Sequence, residues 1–328
     1  MAEVKTEQRL IVGLGELLWD VLPEGARLGG APANFAVMAG RLGNRAAVAS
    51  RIGADELGER ARETLEGLPV ESRFLQRDSE FATGTVTVAL EKGEPQYTIH
   101  EPVAWDRLAL TPEWEELAQK ADAVCFGTLA QRSEASRAAI AGFLDETRPE
   151  CVRVFDVNLR APFWSGEVLR DSLGRATILK LNGGELRHVL TGTGACPYPT
   201  EAEDDDAMLR GAQRVMERYP LEMVCITLGE RGSLLVTRKE QHRHHGLATR
   251  VKDTVGAGDA FTAALTHYYL ESAPLAMMNE AGNRWGAWVA SQQGGMPPMR
   301  AETLERVSGE IRARREGGER RPGLGEGR

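Results

Sequence analysis

The segment DTVGAGDAFTAAL, residues 253–265, places Gly256, Ala257 and Gly258 between two aspartates, at the start of a run with good helix propensity. The first turn of a helix has unpaired backbone N–H groups and the positive end of the helix dipole, so it binds anions. Asp259 would lie in that turn, where a carboxylate can take a proton from a hydroxyl group beside the bound anion. Phosphoryl transfer needs this arrangement. The alternative is that Asp259 only caps its helix.

A second glycine-rich segment, GGAPAN at residues 29–34, also opens a helical run. No charged residue follows it, which disfavours anion binding here. We predict instead that the Asn34 amide, beside the flexible pair Gly29 and Gly30, hydrogen-bonds sugar hydroxyls, and that Asp20 supplies a carboxylate acceptor. When each residue is considered alone, the alternative for Asn34 is a helix cap and the alternative for Asp20 is a turn residue.

Apolar runs alternate between strand and helix patterns along most of the chain. Short strand-like runs between helical patterns predict βαβ units, and therefore an α/β fold with a parallel sheet and helices on both faces. The predicted strands are 9–18, 46–53, 121–127, 151–157, 176–181 and 221–229, and the predicted helices are 33–43, 56–68, 133–147, 258–270 and 274–293.

One stretch departs from this alternation. Residues 83–90 and 96–100 alternate between apolar and polar side chains on either side of a turn, which predicts a hairpin. Together with residues 14–22 they could form a small sheet outside the main core. The residues from 315 to 328 are mostly Gly, Arg and Glu, so we predict a disordered tail there.

The composition limits the cellular compartment and the binding partners that we expect for this chain. The chain has 328 residues, 42% of them hydrophobic, which is enough for one large domain. The net charge of −8 argues against binding to nucleic acid or to a membrane surface. No apolar run approaches the roughly 20 residues of a membrane span, and the first residues lack the apolar core of a signal peptide. The four cysteines are scattered, as expected for reduced thiols, so a cytoplasmic location is predicted.

Several common motifs are absent or incomplete. The chain has no G-x-x-x-x-G-K-[ST] phosphate loop, and Gly13-Leu14-Gly15 lacks the third glycine of a dinucleotide fingerprint. A dinucleotide-dependent oxidoreductase is therefore disfavoured. The run HRHH at residues 242–245 has no accompanying ligand, so we interpret it as a solvated strand and not a metal site.

Four segments together resemble the ribokinase-like (PfkB) carbohydrate kinase family. Gly29-Gly30 with Asn34 and Gly43 resembles its first signature, and residues 253–261 resemble its second. Between them, Asn182-Gly183-Gly184-Glu185 resembles an Asn-x-x-Glu element, and Thr227-Leu228-Gly229 with Gly232 resembles a nucleotide-side turn. The order is that of the family, and the resemblance covers roughly residues 9–312.

The resemblance implies one ribokinase-like domain over residues 9–312: a three-layer, doubly wound, mostly parallel sheet with a small β-sheet lid from about residues 14–30 and 83–105. It implies transfer of the γ-phosphoryl group of ATP to a sugar hydroxyl, with Mg²⁺ and K⁺ as cations and a homodimer formed through the lid. For the reaction, the resemblance implies Asp259 as base, the N–H groups of Gly256, Ala257 and Gly258 as anion hole, and Asp20, Gly29, Gly30 and Asn34 as sugar ligands. For the nucleotide, it implies Asn182 and Glu185 near the phosphates and Mg²⁺ with its waters, and Thr227, Gly229, Gly232 and Asn283 on the nucleotide side. For the K⁺ site, it implies Asp253 with carbonyls near Val255 and Gly294.

Within the family, residues 15–18 (GELL) and 155–164 (FDVNLRAPFW) are most similar to fructokinases, which places Arg160 near the substrate or its phosphate. Two features depart from fructokinases: residues 97–102 lack the arginine of the lid strand, and Trp105 stands where a small residue is usual, both expected near the sugar. Kinases for 2-keto-3-deoxygluconate, ribose or a nucleoside remain alternatives. A noncatalytic sugar-binding regulator is a further one, although it would not need the base.

Overall fold

A mostly parallel sheet of nine strands runs through the part of the chain that the computed structural model describes, which is residues 8–23, 25–91, 94–195 and 204–317. The strands of the molecule are β1 (Leu10–Leu14), β2 (Leu18–Leu22), β3 (Gly25–Gly29), β4 (Arg45–Gly53), β5 (Leu75–Asp78), β6 (Gly84–Glu91), β7 (Glu94–Ile99), β8 (Ala123–Phe126), β9 (Val152–Asp156), β10 (Ile178–Asn182), β11 (Met223–Thr227), β12 (Ser233–Thr237) and β13 (Gln241–His244). The α-helices are α1 (Ala31–Arg41), α2 (Glu56–Glu66), α3 (Pro112–Lys120), α4 (Glu134–Asp145), α5 (Gly166–Arg175), α6 (Gly183–Gly192), α7 (Asp205–Arg218), α8 (Ala257–Leu270), α9 (Leu275–Ala290) and α10 (Ala301–Gly317).

The large sheet has the order β13-β12-β11-β10-β9-β8-β1-β4-β5. The strands from β11 to β5 in this order run parallel, whereas β12 and β13 are antiparallel to their neighbours. Every residue of β1 and β8 is buried, as expected for parallel strands with helices on both faces. The predicted α/β, doubly wound, mostly parallel sheet is confirmed.

Two large hydrophobic clusters fill the space between the sheet and its helices. One holds Trp114 of α3 and Phe143 of α4, with residues of α5, α6 and α7. The other holds Phe35 of α1, Phe261 of α8 and Trp285 of α9, with residues of α10. The helices therefore cover both faces of the sheet, and α1 and α8 lie side by side on the same face.

A second sheet of four strands has the order β3-β2-β6-β7 and lies apart from the large one. Its centre is a parallel pair, β2 with β6, flanked by antiparallel partners β3 and β7. The hairpin predicted from residues 83–90 and 96–100 is the β6–β7 pair. The strand predicted at residues 9–18 is two strands, because the chain turns at Gly15 (φ 146°) and leaves the large sheet for the small one.

Other details differ from the sequence-based expectations. Helix α10 continues to Gly317, so the predicted start of the tail at residue 315 is too early, and residues 318–328 lie outside the described part. The solvated-strand interpretation of HRHH is wrong for His244, which is 6% exposed and contacts Glu280, with 3.0 Å between Nε2 and Oε2. Three cysteines are buried free thiols, and the fourth, at position 196, is outside the described residues.

Within the described ranges, no helix is both long and apolar enough to cross a membrane.

Candidate active site

The polar residues of the site follow the carboxyl ends of neighbouring strands in the large sheet. Glu16 follows β1, Thr128 follows β8, Asp156 ends β9, and Asn182 ends β10. Going along the chain, strands are added to one side of β1 and later, from β8 onward, to its other side. In open α/β sheets this reversal creates a crevice beyond the carboxyl ends of the strands, and ligands bind there.

Helix α8 points its N-terminus into this crevice. Gly256 is the residue before its first turn, has φ 76°, and offers no side-chain cap. A Cβ atom at Gly256 would lie 2.4 Å from Cα of Gly295, so no other residue fits without moving the backbone. The N–H groups at this helix start are therefore uncapped by the chain's own side chains and can bind an anion.

Asp259 lies in the first turn of α8 and faces α1. Its Oδ2 accepts a hydrogen bond from Nδ2 of Asn34, at 2.8 Å. Burial, and next the charge of Asp156, raise the pKa of Asp259 from 3.8 to about 6, against the lowering effects of Asn34, Lys180 and Arg160. The carboxylate thus contacts the neighbouring helix, and its raised pKa suits a base that operates near neutral pH.

The other predicted sugar ligands lie on the small sheet and at the start of α1. Asp20 is on β2, and burial together with the charge of Asp253 raises its pKa to about 6. A Cβ atom on Gly29 would lie 2.9 Å from Oδ2 of Asp20, and one on Gly30 (φ 108°) would lie 2.4 Å from the Glu16 carbonyl oxygen. Because Gly29 and Gly30 have no side chains, their backbone can lie this close to the Asp20 carboxylate and to the Glu16 carbonyl.

Arg160 brings a positive charge to the same region. Its Nη1 donates to the Leu159 carbonyl at 3.0 Å, and its charge lowers the pKa values of Glu16, Asp20 and Asp259. One cation therefore acts on three carboxyl groups, which is the convergence expected around a polar, anionic substrate.

Lys180 was not among the predicted site residues. Its ammonium is buried, donates to Oδ1 of Asp156 at 2.9 Å, and lies 3.1 Å from where a Cβ of Gly258 would be. Although burial lowers the pKa of Lys180, the charge of Asp156 raises it above its ordinary value, so the side chain is charged. Oδ2 of Asp156 accepts from Thr262 of α8 at 3.0 Å. A fixed cation thus lies directly behind the anion-binding turn.

Asn182 and Glu185 form a reciprocal cap at the start of α6. Oδ1 of Asn182 accepts from the Glu185 N–H at 3.1 Å, and Oε2 of Glu185 accepts from the Asn182 N–H at 2.8 Å. Oε1 of Glu185 accepts from the N–H of Leu159 at 2.8 Å. Each carboxylate oxygen keeps a lone pair, and the described residues contain no cluster of three or more metal-ligating side chains. The donor set fits an Mg²⁺ ion that keeps its waters and takes phosphate oxygens, and does not fit an all-protein cage.

The predicted nucleotide-side residues line one cavity of about 600 Å³ next to the start of α8. Polar and small residues line it together with apolar side chains, among them Phe261. Its lining includes Thr227, Gly229, Gly232, Gly258 and Asn283. A second cavity of about 240 Å³ adjoins it and is lined by Asn182, Gly183, Gly184, Thr227 and Gly229.

Asp253 links two segments beside α8. Oδ1 accepts from the Val255 N–H at 3.0 Å, and Oδ2 accepts from the Gly294 N–H at 2.9 Å. Arg27, on β3 of the small sheet, places Nη1 3.6 Å from the same Oδ2. The segments expected at the cation site are therefore in contact, with an arginine of the small sheet beside them.

Trp105, which we expected near the sugar, packs against Gly84 of β6, where a Cβ atom would lie 2.3 Å from the indole Nε1. Its side chain is fully buried, and the guanidinium of Arg132 lies 3.8 Å above its ring centre. Arg132 in turn donates to the carbonyl of His100 at 2.8 Å and to Asp106. The indole therefore contacts both Arg132 and Gly84 of the small sheet.

Comparison with known proteins agrees with this geometry. The model of the pfkB family carbohydrate kinases matches residues 24–302. A fructokinase of Salmonella typhimurium is 30% identical over 268 residues, covering 77% of this chain and 81% of that protein. An uncharacterized sugar kinase of Pyrococcus horikoshii, solved in complex with ATP, has a TM-score of 0.76 and 25% identity over 92% of this chain and 99% of that one. The 2-dehydro-3-deoxygluconokinase of Thermotoga maritima has a TM-score of 0.79 at 17% identity, over 92% of this chain and all of that one (100%). The chain belongs to the PfkB family of carbohydrate kinases.

Proposed function

We propose that this protein transfers the γ-phosphoryl group of ATP to a hydroxyl group of fructose. The observation that carries the proposal is the position of Asp259, with its carboxylate against Asn34 on the sugar side and its backbone in the anion-binding first turn of α8. A hydroxyl held there would give its proton to Asp259 while its oxygen attacks the phosphorus in line with the leaving ADP.

The nucleotide would lie in the cavity of about 600 Å³, with its base among the apolar side chains and its phosphates towards the start of α8. The N–H groups of Gly256, Ala257 and Gly258, with Lys180 behind them, would stabilise the charge that develops on the transferred group. Asn182 and Glu185 would hold Mg²⁺ through its waters, and the ion would neutralise phosphate charge. The ATP complex of the Pyrococcus horikoshii relative supports this choice of donor.

Asp20, Gly29, Gly30 and Asn34 would hold the sugar, with Arg160 near its reacting end. The Asp253 segment, with the carbonyls of Val255 and Gly294, would bind K⁺ and keep the anion-binding turn in place. The small sheet would close over the sugar and pair with a second copy to form a homodimer. Reduced, buried thiols and the use of ATP agree with a cytoplasmic location.

Fructose is favoured by the similarity to the Salmonella typhimurium fructokinase. The fold itself is shared with the Thermotoga maritima 2-dehydro-3-deoxygluconokinase, so that acid is the second candidate acceptor. A coupled ADP-release assay over fructose, 2-keto-3-deoxygluconate, ribose and nucleosides decides between them. We expect fructose to have the highest kcat/KM. Another acceptor that is better by more than about tenfold, roughly 1.4 kcal/mol, would overturn the choice of fructose.

A noncatalytic sugar-binding protein would give a different result. It would be stabilised by a sugar in a thermal-shift screen but would release no ADP with any acceptor. The matched control is the Asp259→Asn variant, which should bind the same sugar and lose the ADP release.

A further inference from the structure

Glu16 is a buried acid at the centre of the crevice. It follows β1, is 4% exposed, and its Oε2 has no hydrogen-bond partner among the described residues. A buried carboxylate oxygen with no partner is costly, so such an oxygen indicates either a protonated acid or a ligand position. The proposed base and sugar contacts do not involve this side chain.

Glu16 and Asp259 face the same small cavity. Its volume is about 10 Å³, and Thr128 and Asn158 contribute further polar groups to its lining. About 10–15 Å³ is the space that one water-sized group requires. The cavity therefore accommodates a single oxygen atom, and its lining includes both carboxyl groups.

The surroundings of Glu16 favour its protonated form over its ionised form. Burial, together with the charge of Asp259, raises the pKa of Glu16 to about 7, against the lowering effects of the backbone N–H groups of Glu16 and Ala31 and of the charge of Arg160. The pKa of Asp259 is raised only to about 6. As pH rises, Asp259 loses its proton first and Glu16 keeps its own. The titratable or charged groups around Glu16 are Asp259 on α8, Asp156 at the end of β9, Arg160 after β9, and Cys125 on β8.

We propose that Glu16 acts as a neutral carboxylic acid whose Oε2–H donates a hydrogen bond to the substrate hydroxyl oxygen in this cavity, opposite ionised Asp259. This inference rests on the proposed sugar-kinase function. The hydroxyl gives its proton to Asp259, its oxygen forms the new bond to phosphorus, and the bond from phosphorus to ADP breaks. Glu16 keeps its proton throughout and stabilises the negative charge that develops on the attacking oxygen.

Ionisation of Glu16 ends this interaction. A charged Glu16 would repel both the developing alkoxide and Asp259, so kcat/KM should fall as pH rises through about 7. With the rise that accompanies ionisation of Asp259 near pH 6, the wild-type profile should be bell-shaped.

The variants Glu16→Gln and Glu16→Leu distinguish hydrogen-bond donation by residue 16 from the effect of its side-chain shape. Gln keeps a donor and cannot ionise, so the alkaline limb should disappear, and the ratio of variant to wild-type kcat/KM should rise about tenfold between pH 6 and pH 8. Leu removes the donor, so kcat/KM should fall about 10²-fold at every pH. Glu63→Gln, at an exposed position on α2, is the matched control and should leave the profile unchanged. An alkaline limb that persists in Glu16→Gln overturns the proposal.

Difference infrared spectroscopy gives a second measurement that needs no turnover. Wild-type protein should show the carbonyl band of a protonated carboxyl group that titrates near pH 7, and the band should be missing in Glu16→Gln but present in Glu63→Gln. If no sugar is phosphorylated but this band is found, the proposed function fails and the neutral Glu16 stands. If activity is found but the band is absent, the proposed role of Glu16 is wrong.

Discussion

The change Asp259→Asn should lower activity and raise stability together. Asparagine keeps the shape and can still accept from Nδ2 of Asn34, which now contacts Oδ2 at 2.8 Å, but it cannot take a proton. General-base catalysis contributes about 10²–10⁴-fold, so kcat should fall by that factor. The KM values for sugar and ATP should change little, because the proposed anion contacts are backbone groups and the proposed sugar contacts are spread over Asp20 and Asn34.

The stability change follows from the pKa of Asp259, which rises from 3.8 to about 6 on folding. Because the pKa of this carboxyl group is higher in the folded protein than in the unfolded chain, folding favours the protonated form, and stability is lost as pH rises through 6. A shift of two units corresponds to about 3 kcal/mol. Because Asp259 is half-buried and partly screened by solvent, we expect a free energy of unfolding higher by about 1–3 kcal/mol for Asp259→Asn at pH 8. This gain should vanish below pH 4.

The assay measures kcat, KM and urea denaturation on the same preparation at acidic and alkaline pH. Thr111→Ala is a control for a true helix cap, since Oγ1 of Thr111 accepts from the Trp114 N–H at 3.3 Å. It should lose about 1 kcal/mol and keep its activity. If Asp259→Asn behaves like this control, Asp259 is a cap. If its KM rises while kcat holds, Asp259 only binds substrate.

Three further results are expected. Lys180→Met should lose about 3–5 kcal/mol of stability because it leaves the buried Asp156 carboxylate without its cation, and the double variant with Asp156→Asn should recover most of this loss; additive losses in urea denaturation would contradict the pairing. Replacement of K⁺ by a bulky organic cation at constant ionic strength should lower kcat if the Asp253 and Gly294 segments bind K⁺, and an unchanged rate counts against that site. Light scattering at assay concentration should give the mass of a dimer, since a small sheet with an apolar face needs a partner; monomers alone would refute dimerisation through the lid.

Local patterns were sufficient for several elements of the structure. The small residues ahead of a helical run predicted the start of α8, and period-two alternation around a turn predicted the β6–β7 hairpin. Both predictions depend on residues that are close in sequence, so the local sequence pattern is enough to make them.

Contacts between distant segments were missed. Lys180 meets Asp156 because β10 and β9 run parallel with these two residues in register, and neither strand alone reveals that alignment. The available signal was a lysine within the apolar strand ILKLN, since a buried lysine needs a partner. His244 was misread for a similar reason: alternation gives the face of a strand, but not the fact that α9 brings Glu280 over it.

The parallel pairing of β2 with β6 has a consequence for the order of folding. Trp19 pairs with Thr85 and Asp20 with Val86, and a parallel pair so far apart in the chain cannot form as a local hairpin. Loop-closure entropy therefore makes this pairing slower to form than the β6–β7 hairpin, whose two strands are neighbours in the sequence. The position of the Asp20 carboxylate depends on this nonlocal pairing, because Asp20 lies opposite Val86 in it. Because the small sheet lies apart from the large one, amide hydrogens of β2 and β6 should exchange with solvent sooner than those of β1 and β8. A partly opened molecule would then release Asp20, one of the proposed sugar contacts, while the cavity of about 600 Å³ stays intact.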